Sequence, residues 1–510
     1  MTTSHSFLAP RKTLLWALLA LIFLLGLGVR LYDLTDAPLD FHPTRQLHSA
    51  LIARGMYEQG RADLPQWQRD MAVQQWKAEG LIEPPILEWL TAQTYALSGA
   101  EQLWVARIYS IVFWMAASIG LYLLARDLAG IDGALAGFFF FLTLPYAVIA
   151  SRAFQPDPLM TSLIVFALWA LVRWQRSPNW NWALAAGGLA GLAILVKAVA
   201  VFFVGGAFIG FLLLAVRPRD GLRNPQLLGM AALAILPYAV YHIYGVYISG
   251  LLQSQFSDRF FPEMWIDPGF YLRWLAKIDQ VIGFPWLIVA LTGIFVLREP
   301  AQRGMLLGAW IGYALLGFTL PHHISTHDYY SLPLVPLASL GIAGVVSVTL
   351  RNLRGPRWMV YPAVLAVLLL WMVYPAYQAR TALKKVDYSA EVAKYQAIGQ
   401  ELGLGSSVVA LSPDYGYRLS YWAWINPNNW LSTADQDWQA QIGQGVDFST
   451  YFEQQADGKD YFVVTSLDEL DQQPELRQYL YKHFAVLHDS GDYLIFDMHQ
   501  PAGPMGSDGR

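Results

Sequence analysis

Apolar runs of helix length recur along this chain, separated alternately by short arginine-bearing connections and by longer polar ones. The runs occupy residues 13–32, 104–125, 129–150, 158–174, 182–196, 199–216, 226–248, 282–297, 305–320, 330–350 and 358–377. A helix of about 20 apolar residues crosses the roughly 30 Å hydrocarbon layer of a bilayer. Lipid satisfies no backbone hydrogen bonds, so such runs must be helical. The pattern predicts a polytopic α-helical membrane protein with about eleven spans. Composition agrees: 14% of residues are charged, against about 25% in soluble domains. The 20 Trp and 27 Tyr suit the aromatic belts of a membrane interface. The first run follows Arg11 and Lys12, and no small-residue cleavage site follows it. A retained span is therefore expected rather than a signal peptide.

Charge bias gives an orientation. Arg11 and Lys12, Arg126, Arg173 and Arg176, Arg217, Arg219 and Arg223, Arg298 and Arg303, and Arg351, Arg354 and Arg357 fall in compact connections. By the positive-inside rule these are cytoplasmic. Segments 33–103, 151–157, 249–281 and 321–329 are mostly longer and richer in His, Asp, Glu, Pro and Trp, and should face outward. The expected location is a prokaryotic plasma (inner) membrane, with a cytoplasmic N-terminus and residues 378–510 outside. No internal repeat of the kind many transporters carry is visible. No basic block suggests nucleic acid, and there are no cysteines. An outward domain must then hold together by packing alone.

That tail reads as a small soluble α/β domain over 378–500. Residues 391–404 suggest a helix, with Ser389 a candidate N-cap and Gly405 closing it. Strands are expected at 408–412 and 461–466, with a hairpin of 484–488 and 493–498. Residues 501–510 should be disordered. The transmembrane module is expected to occupy 1–377.

Costly polar residues gather in the outward segments. Residues 38–48 carry Asp40, His42, Arg45 and His48, and a helix over 49–57 should lie along the interface. Asp40 is a candidate general base and Arg45 a candidate bidentate phosphate ligand. Glu83 precedes Pro84-Pro85, which should start an interfacial helix; simple capping is the competing explanation. Arg152 and Asp157 flank the head of a span, where Asp157 could be catalytic or merely a cap. His322, His323, His327, Asp328, Tyr329 and Tyr330 form a fourth cluster. Its imidazoles could bind a metal, but their spacing matches no closed zinc site, and phosphate or sugar contact is the stronger expectation. No cofactor is indicated. Lys197, between the fifth and sixth runs, must snorkel or pair with an anion.

Taken in order, these elements resemble the GT-C membrane glycosyltransferases. The nearest branch is the bacterial one related to protein O-mannosyltransferases and the lipid A aminoarabinose transferase. The resemblance covers residues 13–377. It rests on the first span with its outer loop, the amphipathic segment 51–57, the Pro-Pro segment 83–90, Asp157-Pro158-Leu159, the glycine-rich stretch 188–197 ending at Lys197, and Tyr330-Ser331-Leu332-Pro333-Leu334. It implies a sugar donor linked to polyprenyl phosphate, an outer-face glycan, lipid or protein acceptor, and inversion at the anomeric carbon. It also implies a carboxylate base in the first outer loop, and Lys and Arg on the departing phosphate. Two departures stand out. The family's acidic pair falls on Arg45 and Gln46, or on Thr44 and Arg45, and its Lys before Pro-Pro is replaced by Glu83. Asp40 is then the nearest carboxylate, with Asp157 next. A lipid or solute transporter or flippase, and a non-catalytic assembly protein, are the alternatives. The spans are almost free of charge except near their ends, which disfavours the first.

Overall fold

The computed structural model describes residues 6, 8–80, 83–215, 223–250, 252, 260–353, 357–441, 443–445 and 447–502. Two compact units emerge. One comprises Met1–Thr35, Gly80–Thr91 and Gln102–Val386; the other comprises Asp36–Glu79, Ala92–Glu101 and Asp387–Arg510. These units do not coincide with the expected division at 377/378. Two pieces of the segment 33–103 group with residues 387–510, where buried side chains such as Arg54 find partners.

In the first unit each of the eleven expected segments falls on helix. Lys12–Leu31, Trp104–Thr143, Asp157–Arg176, Pro225–Ile248 and Asp328–Asn352 are long and apolar enough to cross a bilayer, and a bent pair makes a sixth. Trp180–Val196 and Ala200–Ala215 are shorter. Residues 104–143 run as two helices joined at Gly130, whose φ of 81° breaks the ladder, before Pro145–Ala150 continues the path. The segment expected at 282–297 differs. An amphipathic helix, Pro268–Ile282, turns by 84° into Phe284–Phe295. The hinge is Gly283 at φ 82°, a conformation that costs glycine little. The expected outer loop 249–281 thus contains helix; residues 251 and 253–259 lie outside the described residues, as do Arg217, Arg219 and Arg354.

Apolar side chains gain little by leaving lipid for one another, so helix pairing in a bilayer depends on close backbone approach. The helices Ala200–Ala215 and Pro300–Thr319 achieve it with glycines four residues apart on each. A Cβ built on Gly206 would lie 2.2 Å from the Gly308 carbonyl oxygen, and one on Gly308 would lie 2.0 Å from that of Gly206. Gly210 and Gly304 repeat this at 2.1 Å in both directions.

The second unit contains a five-stranded sheet in the order β2-β1-β3-β5-β4. The strands are β1 (Val408–Leu411), β2 (Asn428–Asn429), β3 (Tyr461–Val464), β4 (Phe484–Asp489) and β5 (Leu494–Pro501). β1 is parallel to β2 and β3, while β5 is antiparallel to β3 and β4. Alternation of period two sends Val409, Leu411, Phe462, Val464, Leu494 and Phe496 into one core. Val408, Ala410, Val463 and Ile495 enter another, on the opposite face. Both faces are covered, so the central strands read as continuous apolar runs. The preceding helix is Ser389–Leu402; Ser389 is its first residue rather than its cap, and Gly403, at φ 73°, ends it rather than Gly405. β5 extends to Pro501, and the expected disorder at 503–510 lies outside the described residues.

Helix Pro43–Glu58 also belongs to this unit. It begins six residues before the expected 49–57, so Arg45 and His48 lie on helix rather than in a loop. Nearly every residue from Gln46 to Glu58 is buried, which replaces the expected interfacial helix with an interior one. Pro43 at its start has its φ pre-set for a first turn.

Glycine contact along the 200–215 and 300–319 seam is directly testable. Gly308→Ala should destabilise the detergent-solubilised protein by about 1–3 kcal/mol through overpacking. Gly188→Ala, where a Cβ meets nothing within 4 Å, should leave the thermal midpoint unchanged.

Candidate functional site

The helices Asp157–Arg176 and Trp180–Val196 are joined by three residues, and Asn179 caps the second by accepting from the Trp182 amide. The pair is antiparallel, so the start of the first and the end of the second lie at one level. Asp157 stands in the first turn of the first helix, where the helix dipole favours a negative charge. Lys197 ends the second in extended backbone, at φ −155°. Its ammonium lies 2.9 and 3.0 Å from the two Asp157 oxygens. Lys197 is 3% and Asp157 2% exposed. The Lys197 ammonium also sits 4.6 Å from the Tyr329 ring centre and 4.9 Å from that of Tyr330, close enough for cation–π attraction. Lys197 therefore does not snorkel; its partner within the protein is the Asp157 carboxylate.

Beside this group, the Asp328 carboxylate accepts from the Tyr146 hydroxyl at 2.9 Å and from the Gln280 amide at 2.6 Å. Asp328 is thereby committed to neighbouring helices. The rings of His323 and His327 stack at 6.1 Å, and His327 lies edge-on to Tyr329 at 5.4 Å. His322 packs against Phe261. Burial first, and then the Arg273 charge, lower its pKa, so it stays uncharged near neutrality and is a poor phosphate cation. Among the described residues no group of three His, Asp or Glu is arranged to hold a metal.

Arg152 serves differently from the expected phosphate contact. Its two terminal nitrogens donate to the carbonyls of Tyr32 and Asp33, each at 2.6 Å. Arg107 donates to the Leu34 carbonyl at 3.1 Å. Asp33 has φ 52°, and the turn after the first helix leaves carbonyls that need donors. Arg30 is fully buried and bonds Ser151 at 2.7 Å and the Gly26 and Leu142 carbonyls at 2.8 Å. This side chain was not among the expected site residues; its signal is a charged residue inside an apolar run. Glu83 lies just before Ile86–Ser98, the helix expected after Pro-Pro.

Asp40, His42, Arg45 and His48 fall in the other unit. Asp40 is half-buried, and His42 precedes the Pro43–Glu58 helix in left-handed backbone at φ 45°. His48 Nε2 lies 3.4 Å from a Glu79 oxygen, which also accepts from the Tyr417 hydroxyl at 2.6 Å. Burial pushes the Glu79 carboxyl up to about 7, against the lowering effect of the Tyr417 bond. Arg54 donates to Glu101 at 3.1 Å and to the Tyr421 carbonyl at 2.8 Å, and lies over the Tyr421 and Trp424 rings. Tyr417, Tyr421 and Trp424 are thus engaged by Glu79 and Arg54. Glu79 and Glu101 have no motif context in the sequence, and only the fold reveals them.

A family model described as dolichyl-phosphate-mannose-protein mannosyltransferase matches residues 82–244. The lipid A galacturonosyltransferase RgtD of Rhizobium johnstonii is 28% identical over 158 residues, which take in 30% of this chain and 33% of that protein. The chain thus matches about a third of the length of that relative. ArnT from Cupriavidus metallidurans in its apo state superposes with a TM-score of 0.61 at 16% identity, over 98% of this chain and 100% of that one. The same protein bound to undecaprenyl phosphate gives 0.55 at 16% identity, over 97% and 99%. The archaeal oligosaccharyltransferase AglB from Archaeoglobus fulgidus gives 0.54 at 12% identity, over 96% and 74%. The chain has the fold of the GT-C membrane glycosyltransferases. The family-model match contains Glu83, Arg152, Asp157 and Lys197, and leaves out Asp40 and the 322–330 cluster.

Two outcomes are expected. Lys197→Met strands a buried carboxylate and should cost about 3–5 kcal/mol, while Asp157→Leu combined with Lys197→Met should recover most of it; thermal unfolding of the purified protein reads both. Glu79 supplies a pH dependence. Its carboxyl is neutral in both states below about pH 4.5, and the unfolded chain loses its proton first as pH rises. Stability should then fall between about pH 4.5 and 7 and level off above, by up to about 3 kcal/mol. Glu79→Gln should remove this fall, so that its melting temperature exceeds wild type at pH 8 and matches it at pH 4.5.

Proposed function

We propose that this protein transfers a sugar from a polyprenyl-phosphate donor to a glycan, lipid or protein acceptor on the outer face of a bacterial inner membrane. The observation that carries the proposal is the buried Lys197–Asp157 pair with its two tyrosines, set in a fold shared with a protein solved with undecaprenyl phosphate bound. An ammonium has three donors. Asp157 takes two directions and holds the charge in place, which leaves Lys197 able to meet a phosphate oxygen. An anion there would share a cation whose desolvation is already offset.

In the proposed reaction an acceptor oxygen attacks the anomeric carbon and forms the new glycosidic bond. The bond from that carbon to the phosphate oxygen breaks, and the lipid phosphate leaves with the electron pair. The acceptor's proton passes to a carboxylate, which we assign to Asp40. Attack opposite the leaving group inverts the configuration. Asp157 is assigned to positioning rather than proton transfer, because both its oxygens face Lys197. His42, Arg45 and His48 are proposed as acceptor-side polar contacts, and His323, His327, Tyr329 and Tyr330 as donor-side ones. The same reading includes eleven spans, a cytoplasmic N-terminus and an outward C-terminal domain. The transferred group is a hexosyl or pentosyl unit.

The test is reconstitution in proteoliposomes with radiolabelled polyprenyl-phosphate sugars and a cell-envelope acceptor fraction. Covalent label in the acceptor is expected. Asp40→Asn should lower kcat by about 10²-fold or more, and Lys197→Gln by about 10²- to 10³-fold, with both variants checked for monodispersity. Full activity in Asp40→Asn would move the base elsewhere. Label that crosses the bilayer without forming a new bond would replace the transferase with a flippase.

A further inference from the structure

The C-terminal domain holds a cavity of about 450 Å³, within the size range of small-molecule sites. It opens between the helices Thr433–Gln441 and Phe448–Ala456 and the start of Pro474–His483. Part of the lining is aromatic, with Trp430 buried in the core and Phe448 and Tyr451 partly exposed against it. The Trp430 ring lies 5.9 Å from Phe448 and 4.7 Å from Tyr451, and all three line the cavity. The lining also carries four carboxamides: Gln436, Gln439, Gln472 and Gln473.

The floor is rigid. Gln473 is buried, and its carbonyl oxygen accepts from the Trp430 indole at 2.8 Å and from Gln436 at 3.1 Å. Its amide nitrogen donates to the Leu431 carbonyl and to Glu469, each at 3.1 Å. Gln436 also donates to the Leu431 carbonyl at 3.1 Å. Such a network holds its members in one arrangement. The rim is uncommitted. Among the described residues the side chains of Gln439, Gln472, Asp437 and Glu475 make no hydrogen bond within the protein.

Charge narrows the class of ligand. The lining includes the carboxylates of Asp437 and Glu475 and no lysine or arginine. A phosphate or a uronate would meet repulsion with no cation to offset it. A neutral polyol fits: carboxamides both donate and accept, and an aromatic wall covers the apolar face of a pyranose ring. We propose that this cavity is a binding site for an uncharged saccharide, through which the C-terminal domain holds the glycan portion of the acceptor. The acceptor role rests on the proposed transferase; saccharide binding does not.

The experiment is saturation-transfer NMR on the full chain in lipid nanodiscs, with maltose, lactose and glucuronic acid as probes. Transfer to at least one neutral disaccharide is expected, with little to glucuronic acid. Ala440→Trp, which fills the cavity from an exposed lining position, and Gln439→Ala with Gln472→Ala, which strips the rim, should each lose that transfer while melting as the wild type does. Three results would overturn the site: no transfer to either disaccharide from wild type, unchanged transfer in both variants, or stronger transfer to glucuronic acid. Asp40→Asn should bind the disaccharide as wild type does. Binding that persists while no sugar is ever transferred would reject the transferase and keep the site.

Discussion

A lysine at a helix break inside an apolar bundle has to find an anion, and the Lys197–Asp157 pair is where this fold answers that demand. A charge moved from water into a low-dielectric interior loses several kcal/mol of solvation even after relaxation. The requirement is met by topology. Two helices of 20 and 17 residues joined by a three-residue turn bring positions 157 and 197 to the same level, although they are far apart in sequence. Shortening either helix by one residue would rotate its end by about 100° and separate the pair. The connection at 177–179 therefore constrains the site as strongly as the two charged residues do.

The same physics governs the arginines of the first unit. Arg30, Arg107 and Arg152 are all buried, and each donates to backbone carbonyls. A guanidinium offers five donors in a fixed fork, which suits the cluster of carbonyls left at a helix end. At the close of the first helix, Arg107 from the helix Trp104–Thr143 and Arg152 from the turn after Pro145–Ala150 converge on the carbonyls of residues 32–34. The left-handed backbone of Asp33 turns those carbonyls toward them. Arg152 thus fastens the exit of the first span.

Much of this was legible in the sequence, and the limits have physical causes. Length and apolarity located helix at each expected segment, because lipid leaves helix as the only solution for an isolated run. Short β-branched and aromatic runs bounded by turn residues located the strands β1, β3, β4 and β5. The bend at Gly283 was not legible, since an apolar segment beside an amphipathic one reads as a span with a loop. The assignment of 36–79 to the C-terminal domain was also hidden. It depends on Arg54 reaching Glu101 and Tyr421 and on Glu79 reaching Tyr417, contacts between residues distant in sequence and without a shared motif. Lys197 and Asp157 were each conspicuous as costly charges. That they satisfy one another required the helix hairpin.

The cations of the first unit differ in how firmly they are committed. The lysine that the family resemblance leads one to expect before Pro-Pro is Glu83 in this chain, so a donor phosphate bound in the first unit, as proposed, would lose that positive partner. Arg30, Arg107 and Arg152 direct their donors at carbonyls and a hydroxyl, and withdrawing any of them would leave buried acceptors unsatisfied at about 1–3 kcal/mol each. Lys197 is different. Its partner is a carboxylate with which a phosphate can compete for the same ammonium, and its remaining contacts are ring faces that exchange without orphaning a hydrogen bond. Burying a second anion beside Asp157 still carries a Coulomb cost, which falls if the ammonium moves between the two oxygen groups. The mobile tip of a four-carbon lysine stem can make that movement, and the rigid fork of an arginine cannot.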